Sequence, residues 1–436
     1  MIMNNFLKHK LPFLAVAGCM ALGSLSLASC DDDDEDDATP VVNYIRPTDP
    51  NVADSLMERV SMGQTIAIMG SGLSGTHQIL FNDQKALVVP TYVTSNCIIV
   101  TVPTSSWTVQ NDSLTIITNS GKRTQYYLPV NKIQPKITAV SLEYPKAGDE
   151  ITIKGAGFYQ DEDQLSVSLP GIGEVPYTYV SENELKVTVP DGLVKGNIEV
   201  SSVYGAGKSA FNMLEDEGIL FTFDDGFGFQ GWHEPKITTF DGAISGNCLQ
   251  FGDGAAILED KTWNDGQFAF EYWAGSWDDP EVFDQAGQGK ALYNAADFTN
   301  WKNMCLKFEI CIPKDKPWTN LSMQIMFAGV KVVSLSGNGG NSAGANNTHF
   351  QGETYARAHY TPWKDNGGSF DTDGKWVTVT VPFSSFTYGA ATASPEKTLS
   401  SAEDFASLTM FVWDGEKSGV ECTPIIYIDN IRVTKY

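Results

Sequence analysis

Between Phe270 and Asp279 the chain reads Phe-Glu-Tyr-Trp-Ala-Gly-Ser-Trp-Asp-Asp, which sets Trp273 and Trp277 around a Gly-Ser turn with carboxylates beside them. A second concentration lies in the long Gly- and Asn-rich stretch from Ser334 to Phe370, where Arg357-Ala-His-Tyr-Thr-Pro-Trp363 gathers Arg357, His359, Tyr360 and Trp363 within seven positions. Flat aromatic rings edged by carboxylate, guanidinium and imidazole groups suit a ligand with apolar ring faces and a rim of hydroxyls, which describes a neutral polysaccharide. Aromatic rings supply large contact area at low entropic cost. Trp301 and Trp318 extend the candidate set, and Pro362 is expected to stiffen the chain where Trp363 is presented. Core burial is the competing reading for every Trp, and it is the one expected for Trp232, Trp376 and Trp413, which lie in or beside strand-like runs.

These rings are unevenly placed. Of ten Trp in 436 residues, only Trp107 precedes Trp232. The formal net charge is -24, with 29 Lys+Arg against 53 Asp+Glu. Such a balance disfavours nucleic acid and other polyanions, whose binding needs clustered bases to displace counterions. Five histidines leave little for a histidine-rich metal site, and no complete glycine-rich nucleotide fingerprint is present.

The elements that must carry the rings read as strands. Apolar residues alternate in Ile219–Phe223, Met304–Ile312, Trp376–Phe383, Leu408–Trp413 and Ile425–Val433. In the second of these, Met304, Leu306, Phe308, Ile310 and Ile312 share one face. Cys305, Lys307, Glu309 and Cys311 share the other, which is expected to meet water or ligand. Residues 219–436 are therefore expected to form a larger jelly-roll-like β-sandwich. Cys97, Cys248, Cys305, Cys311 and Cys422 are an odd set once Cys19 and Cys30 are set aside, which cannot form a complete disulfide framework, and Cys305 and Cys311 read as small apolar packing residues.

Upstream the chain repeats itself. Gly63-Gln-Thr-Ile-Ala-Ile-Met-Gly-Ser-Gly72 matches Gly148-Asp-Glu-Ile-Thr-Ile-Lys-Gly-Ala-Gly157, Val100-Thr-Val-Pro103 recurs as Val187-Thr-Val-Pro190, and Gly121-Lys122 recurs as Gly207-Lys208. The nearly constant offset marks two copies of one small β-sandwich, at 41–131 and 135–213. A strand ending in Gly-x-Gly, a later strand closing on Val-Thr-Val-Pro and a Gly-Lys turn resemble the immunoglobulin-like IPT/TIG domain, which implies spacer or interaction modules. The fold class is thus all-β: two immunoglobulin-like (IPT/TIG) sandwiches, then the jelly-roll-like module.

At the front, Lys8 and Lys10 precede an apolar stretch that ends in Leu27-Ala-Ser-Cys30. This reads as a signal peptide over 1–29 with a lipobox, leaving Cys30 to carry lipid and hold the protein on a membrane. The block Asp31–Asp37 contains seven acids and, with the rest of 30–40, forms a solvated tether. Removing 1–29 leaves 27 bases against 53 acids, or -26, and setting aside the seven tether acids leaves -19 for the folded part. A block of this kind beside a lipidated Cys resembles an acidic surface-export signal.

Phe223-Asp-Asp-Gly226 through Gly231-Trp232, Trp376–Phe386 and Ile426-Tyr-Ile-Asp-Asn-Ile-Arg-Val433 resemble carbohydrate-binding jelly rolls. Together with the lipobox, tether and repeats, the whole chain is similar to the cell-surface glycan-binding lipoproteins of Bacteroidetes polysaccharide-utilisation loci, of the type whose C-terminal domain binds xyloglucan. That resemblance implies a non-catalytic, outer-membrane, cell-surface receptor that captures a neutral plant glycan and passes it to an outer-membrane transporter complex. A surface glycoside hydrolase or lyase, or a protein-binding adhesin, are the alternatives. No cofactor is required. Similar jelly rolls hold a structural calcium where Asp429 of the last strand would meet Asp224 or Asp225; an aspartate bonded to backbone or solvent is the other reading of those residues.

Overall fold

The computed structural model describes residues 38–52, 54–160, 164–224, 236–259, 265–272, 274, 290–329 and 355–436. They are almost entirely strand and turn, and they fall into two compact units that part at Pro135. Among the described residues no helix is long and apolar enough to cross a membrane.

The first unit is an immunoglobulin-like sandwich. One sheet pairs Val41–Pro47, Thr65–Ser71 and Cys97–Thr101, and the other has the order Gln84–Ala86, Thr76–Phe81, Ser113–Thr118, Arg123–Tyr127. The second unit opens with the same arrangement: Lys136–Val140, Glu150–Ala156, Glu184–Thr188 and Thr178–Ser181 form one sheet, and Gly173–Val175, Ser166–Leu169, Glu199–Ser202 and Gly205–Lys208 the other. The repeated motifs pair with each other, Ile66 opposite Val100 in the first copy and Ile151 opposite Val187 in the second. The Gly-x-Gly signature has a steric cause. A Cβ on Gly70 would collide with the Val41 carbonyl, and one on Gly155 with the Lys136 carbonyl, both where the first strand of the sheet is bulged. The second glycine of each motif, Gly72 or Gly157, has a φ of 62° or 75°, which side chains with a Cβ rarely adopt.

The jelly-roll-like module follows in the same compact unit. Its six-stranded sheet has the order Lys236–Thr238, Cys248–Phe251, Ile426–Lys435, Met304–Cys311, Trp376–Pro382, with Ile219–Phe221 also on the Ile426–Lys435 strand. A four-stranded sheet of order Ala269–Tyr272, Ser407–Val412, Met323–Ala328, Ala358–Tyr360 packs over it. Leu306, Phe308 and Ile310 from the first sheet and Phe270, Met323, Ile325, Leu408 and Met410 from the second share one buried core.

The other face of the six-stranded sheet does not meet water or ligand, as the alternation in Met304–Ile312 suggested. Every residue of Met304–Cys311 is buried, because the second immunoglobulin-like domain covers that face. Glu143 of that domain pairs with Lys307 and, at 2.7 Å, with Arg432; Arg432 also grips Glu309 at 2.8 Å. The Thr378 hydroxyl donates to Glu309 at 2.8 Å and accepts from the Glu143 backbone N–H, while the Arg432 guanidinium lies 4.7 Å from the Tyr144 ring centre. Two acids and two bases thus cancel in a buried interface, where losing one partner would strand the others. Around them, Trp376, Cys248 and Cys311 complete the hydrophobic core of the immunoglobulin-like domain. Trp376 donates its indole N–H to the Gly242 carbonyl at 2.6 Å, and Phe240 stacks against Tyr427 at 4.3 Å. Burial pushes the Cys248 thiol up to about 12 and the Cys311 thiol to about 11, so both stay protonated packing groups.

Candidate functional site

The face of the four-stranded sheet opposite its core side is also buried, and sets polar groups beside a small apolar cluster of Ala269, Met326, Ala390, Phe411 and Trp413. Cross-strand register places Ala269, Phe411, Gln324 and His359 in one row, and Glu271, Thr409 and Met326 in the next, with Arg357 one residue before Ala358 at the end of that row. Side-chain alternation turns all of these away from Phe270, Ile325, Met410 and Ala358. Its polar members are held by a tight internal network. The Arg357 guanidinium donates to Gln324 Oε1 at 2.8 Å, and the Gln324 amide donates to the carbonyls of Ala390 at 2.8 Å and Trp413 at 2.5 Å. The guanidinium carbon sits 5.9 Å from the Phe411 ring centre. A cavity of about 470 Å³ opens at one end of this sheet, lined by Phe327, Tyr355, Ala356, Lys397, Leu399 and Asp404.

His359 lies on the same face. Its Nε2 is 2.9 Å from the Gly389 carbonyl, which can only accept, so Nε2 carries the proton. Burial holds its pKa below the ordinary histidine value, and a neutral ring results. The ring stacks on Tyr388 at 4.9 Å with 23° between planes.

The other candidate rings are distributed differently from expectation. Trp318 is fully buried, with its indole N–H donating to the Asn320 carbonyl at 2.6 Å. Trp363 is also in the core, donating to the Leu321 carbonyl at 2.9 Å. Pro362 does not present it to solvent; it opens a single helical turn, Pro362–Asp365, that swings the indole inward. Tyr360 points to the core side, 6.0 Å from Trp318 and 6.2 Å from Phe308, and burial pushes its hydroxyl well above the usual tyrosine range. Arg357 is fully buried, a strut of the sheet rather than a free hydrogen-bonding arm. Trp301 is half-buried, tilted against Phe405 at 5.9 Å. Trp413 is buried as expected of a strand residue. Trp273 and Trp277 lie outside the described residues, directly after the strand Ala269–Tyr272, as do Trp232, Cys30 and Asp225.

Sequence reasoning missed Tyr388. Among the described residues of the jelly-roll-like module, Tyr388 and the terminal Tyr436 are the exposed aromatic rings, Tyr388 at 39%. Its one signal was the Tyr388-Gly389 pair after the Trp376–Phe386 motif, too slight beside ten Trp.

Asp429 lies fully buried on the strand Ile426–Lys435, and its Oδ2 has no hydrogen-bond partner. Burial, with Asp224 and Glu309 adding to it, pushes its carboxyl up to about 8. Asp224 is close enough to contribute, and it in turn accepts from the Asn247 N–H at 2.5 Å and the Ser245 hydroxyl at 3.1 Å. An orphaned buried carboxylate oxygen with a second carboxylate near enough to act on it fits a hard cation, although no group of three such side chains gathers among the described residues.

Comparison with known proteins places this geometry. Residues 213–435 match the surface glycan-binding protein B xyloglucan binding domain, and residues 56–129 and 135–214 each match the IPT/TIG domain. The crystal structure of the surface glycan-binding protein PbSGBP-B from Prevotella bryantii is 36% identical, covering 91% of this chain and 99% of that one with a TM-score of 0.68. An SGBP-B from Bacteroides uniformis, 17% identical, covers 92% of this chain and 100% of its own at a TM-score of 0.41. A curated IPT/TIG domain-containing protein from Bacteroides ovatus is 40% identical over 164 residues, 36% of this chain; the match spans a third of that relative's length. With a dedicated domain matched over half its length and a close full-length structural relative, the chain belongs to the surface glycan-binding protein B family.

Proposed function

We propose that this chain is a non-catalytic cell-surface receptor that captures a neutral, xyloglucan-like polysaccharide through its jelly-roll-like module. The observation that carries the reading is the match of residues 213–435 to a xyloglucan binding domain, with the exposed Tyr388 ring at the edge of its four-stranded sheet. Trp273 and Trp277 follow that sheet's first strand in sequence and are the proposed main stacking rings. Glu143 and Glu309 both spend their carboxylates on Arg432, and Glu309 is fully buried, an arrangement that suits an interface strut better than a pair of catalytic acids.

Cys30 carries the lipid anchor in the outer membrane, the acidic tether holds the folded part off the surface, and the immunoglobulin-like domains act as spacers. An outer-membrane transporter complex takes up the captured chain. Asp429 and Asp224, with Asp225, hold a structural calcium that neutralises the buried carboxylate. Weak single-site binding is sufficient, because many anchored copies on one polymer raise the effective concentration.

Affinity electrophoresis of the full chain in gels containing soluble xyloglucan tests the reading. Marked retardation is expected, with no release of reducing sugar. Migration identical to a gel without glycan would refute it.

A further inference from the structure

We propose that Tyr388, backed by His359 and flanked by the Lys364–Glu416 ion pair, forms a saccharide subsite that stacks one neutral pyranose ring and engages its hydroxyls. This rests on the glycan-binding reading above and adds a site at the edge of the same sheet.

Tyr388 and Arg357 exchange backbone hydrogen bonds at 3.2 and 2.9 Å, so the segment around Tyr388 extends the sheet one strand beyond Ala358–Tyr360. An exposed aromatic side chain at a sheet edge has lost area to water that a ligand can recover. Its orientation is fixed from behind. The neutral His359 ring stacks on one face of Tyr388, which still keeps 39% of its surface exposed. His359 is itself fixed by Gly389 on one side and by the Gly415 turn on the other, where a Cβ on Gly415 would come within 2.9 Å of His359 Nδ1. Gly415, at a φ of 70°, can make that turn without strain.

The same turn delivers the polar rim. Glu416 donates its backbone N–H to the Ser322 hydroxyl at 2.9 Å, and its carboxylate pairs with the Lys364 ammonium at 2.9 Å. Both side chains stay substantially exposed, at 54% for Lys364 and 38% for Glu416. A solvent-exposed pair of this kind contributes little to stability. An ammonium and a carboxylate held side by side offer a donor and an acceptor to vicinal hydroxyls. Glu416 directly follows Gly415, whose place against His359 Nδ1 brings the pair to the His359–Tyr388 stack.

Isothermal titration of the full chain with soluble xyloglucan decides it. Tyr388→Ala is expected to weaken binding roughly 5- to 10-fold, as loss of one stacked ring implies, and Tyr388→Phe to stay within about 2-fold of the parent. Glu416→Gln together with Lys364→Met should weaken it about 2- to 5-fold by removing charged hydrogen-bond partners. Unchanged thermal midpoints separate these losses from misfolding. Wild-type affinity in Tyr388→Ala, while Trp277→Ala abolishes binding, would overturn the subsite and leave the receptor reading intact. A parent protein that binds no xyloglucan would overturn both.

Discussion

The two immunoglobulin-like repeats share a fold and differ in what surrounds them. Both use a Gly-x-Gly close approach and the same Ile–Val pairing at the centre of their first sheet. Counted back from the repeated Gly63 and Gly148, Glu58 in the first copy and Glu143 in the second hold the same position, five residues before the glycine. Glu58 is exposed, whereas Glu143 is buried in the ion cluster with Lys307 and Arg432. The first copy ends at Pro135 as its own compact unit; the second takes Trp376, Cys248 and Cys311 of the next module into its core. A repeat therefore specifies a sandwich, and in the second copy its surface residues join it to the module that follows. Residues 136–436 form one compact unit, and residues 213–435 within it match the glycan-binding domain.

The largest expected effect breaks this comparison at its centre. Glu143→Gln leaves Lys307 and Arg432 undercompensated and should cost about 3–5 kcal/mol, while Glu58→Gln should stay within about 0.5 kcal/mol. Denaturant unfolding of the full chain reads both, since the transition of 136–436 should move and that of the first unit should not. Equal small shifts would mean that the interface is not coupled to stability.

A calcium effect should also be confined to the second unit. Calcium at 100 times its dissociation constant is expected to stabilise 136–436 by about 2.7 kcal/mol, an effect reversed by chelator and absent in Asp429→Asn. A thermal midpoint indifferent to calcium would leave Asp429 as a buried neutral acid.

Where the repeats are alike, the response should be alike. Gly70→Ala and Gly155→Ala each force the first strand away from a backbone carbonyl and should destabilise their own unit by roughly 1–3 kcal/mol. Different costs at the two positions, read by thermal unfolding, would show that the close approach is not shared.

Strands were legible because alternation is local: Met304–Cys311, Trp376–Pro382, Ser407–Val412 and Ile426–Lys435 lie where the periodicity placed them, within a residue or two at each end. The function of their second face was not. Lys307 and Glu309 look water-facing in sequence, and their partners Glu143 and Arg432 stand 164 and 123 positions away. The site was legible as a region and less so as side chains. Arg357 and His359 do lie on the sheet face away from the core, but Trp363 and Trp318 turn inward because a single helical turn and two indole-to-carbonyl bonds decide their direction. Tyr388 escaped notice because its exposure depends on a stack with His359, 29 residues earlier, that no spacing reveals.

The central claim is that glycan is held at the four-stranded sheet of the jelly-roll-like module. Amide hydrogen exchange of the full chain with and without soluble xyloglucan tests it most directly. Protection should rise in 265–272, 355–360, 386–390 and 407–416, with both immunoglobulin-like domains unchanged. Protection confined to residues 41–131 or 135–213, or none anywhere at saturating glycan, would contradict it.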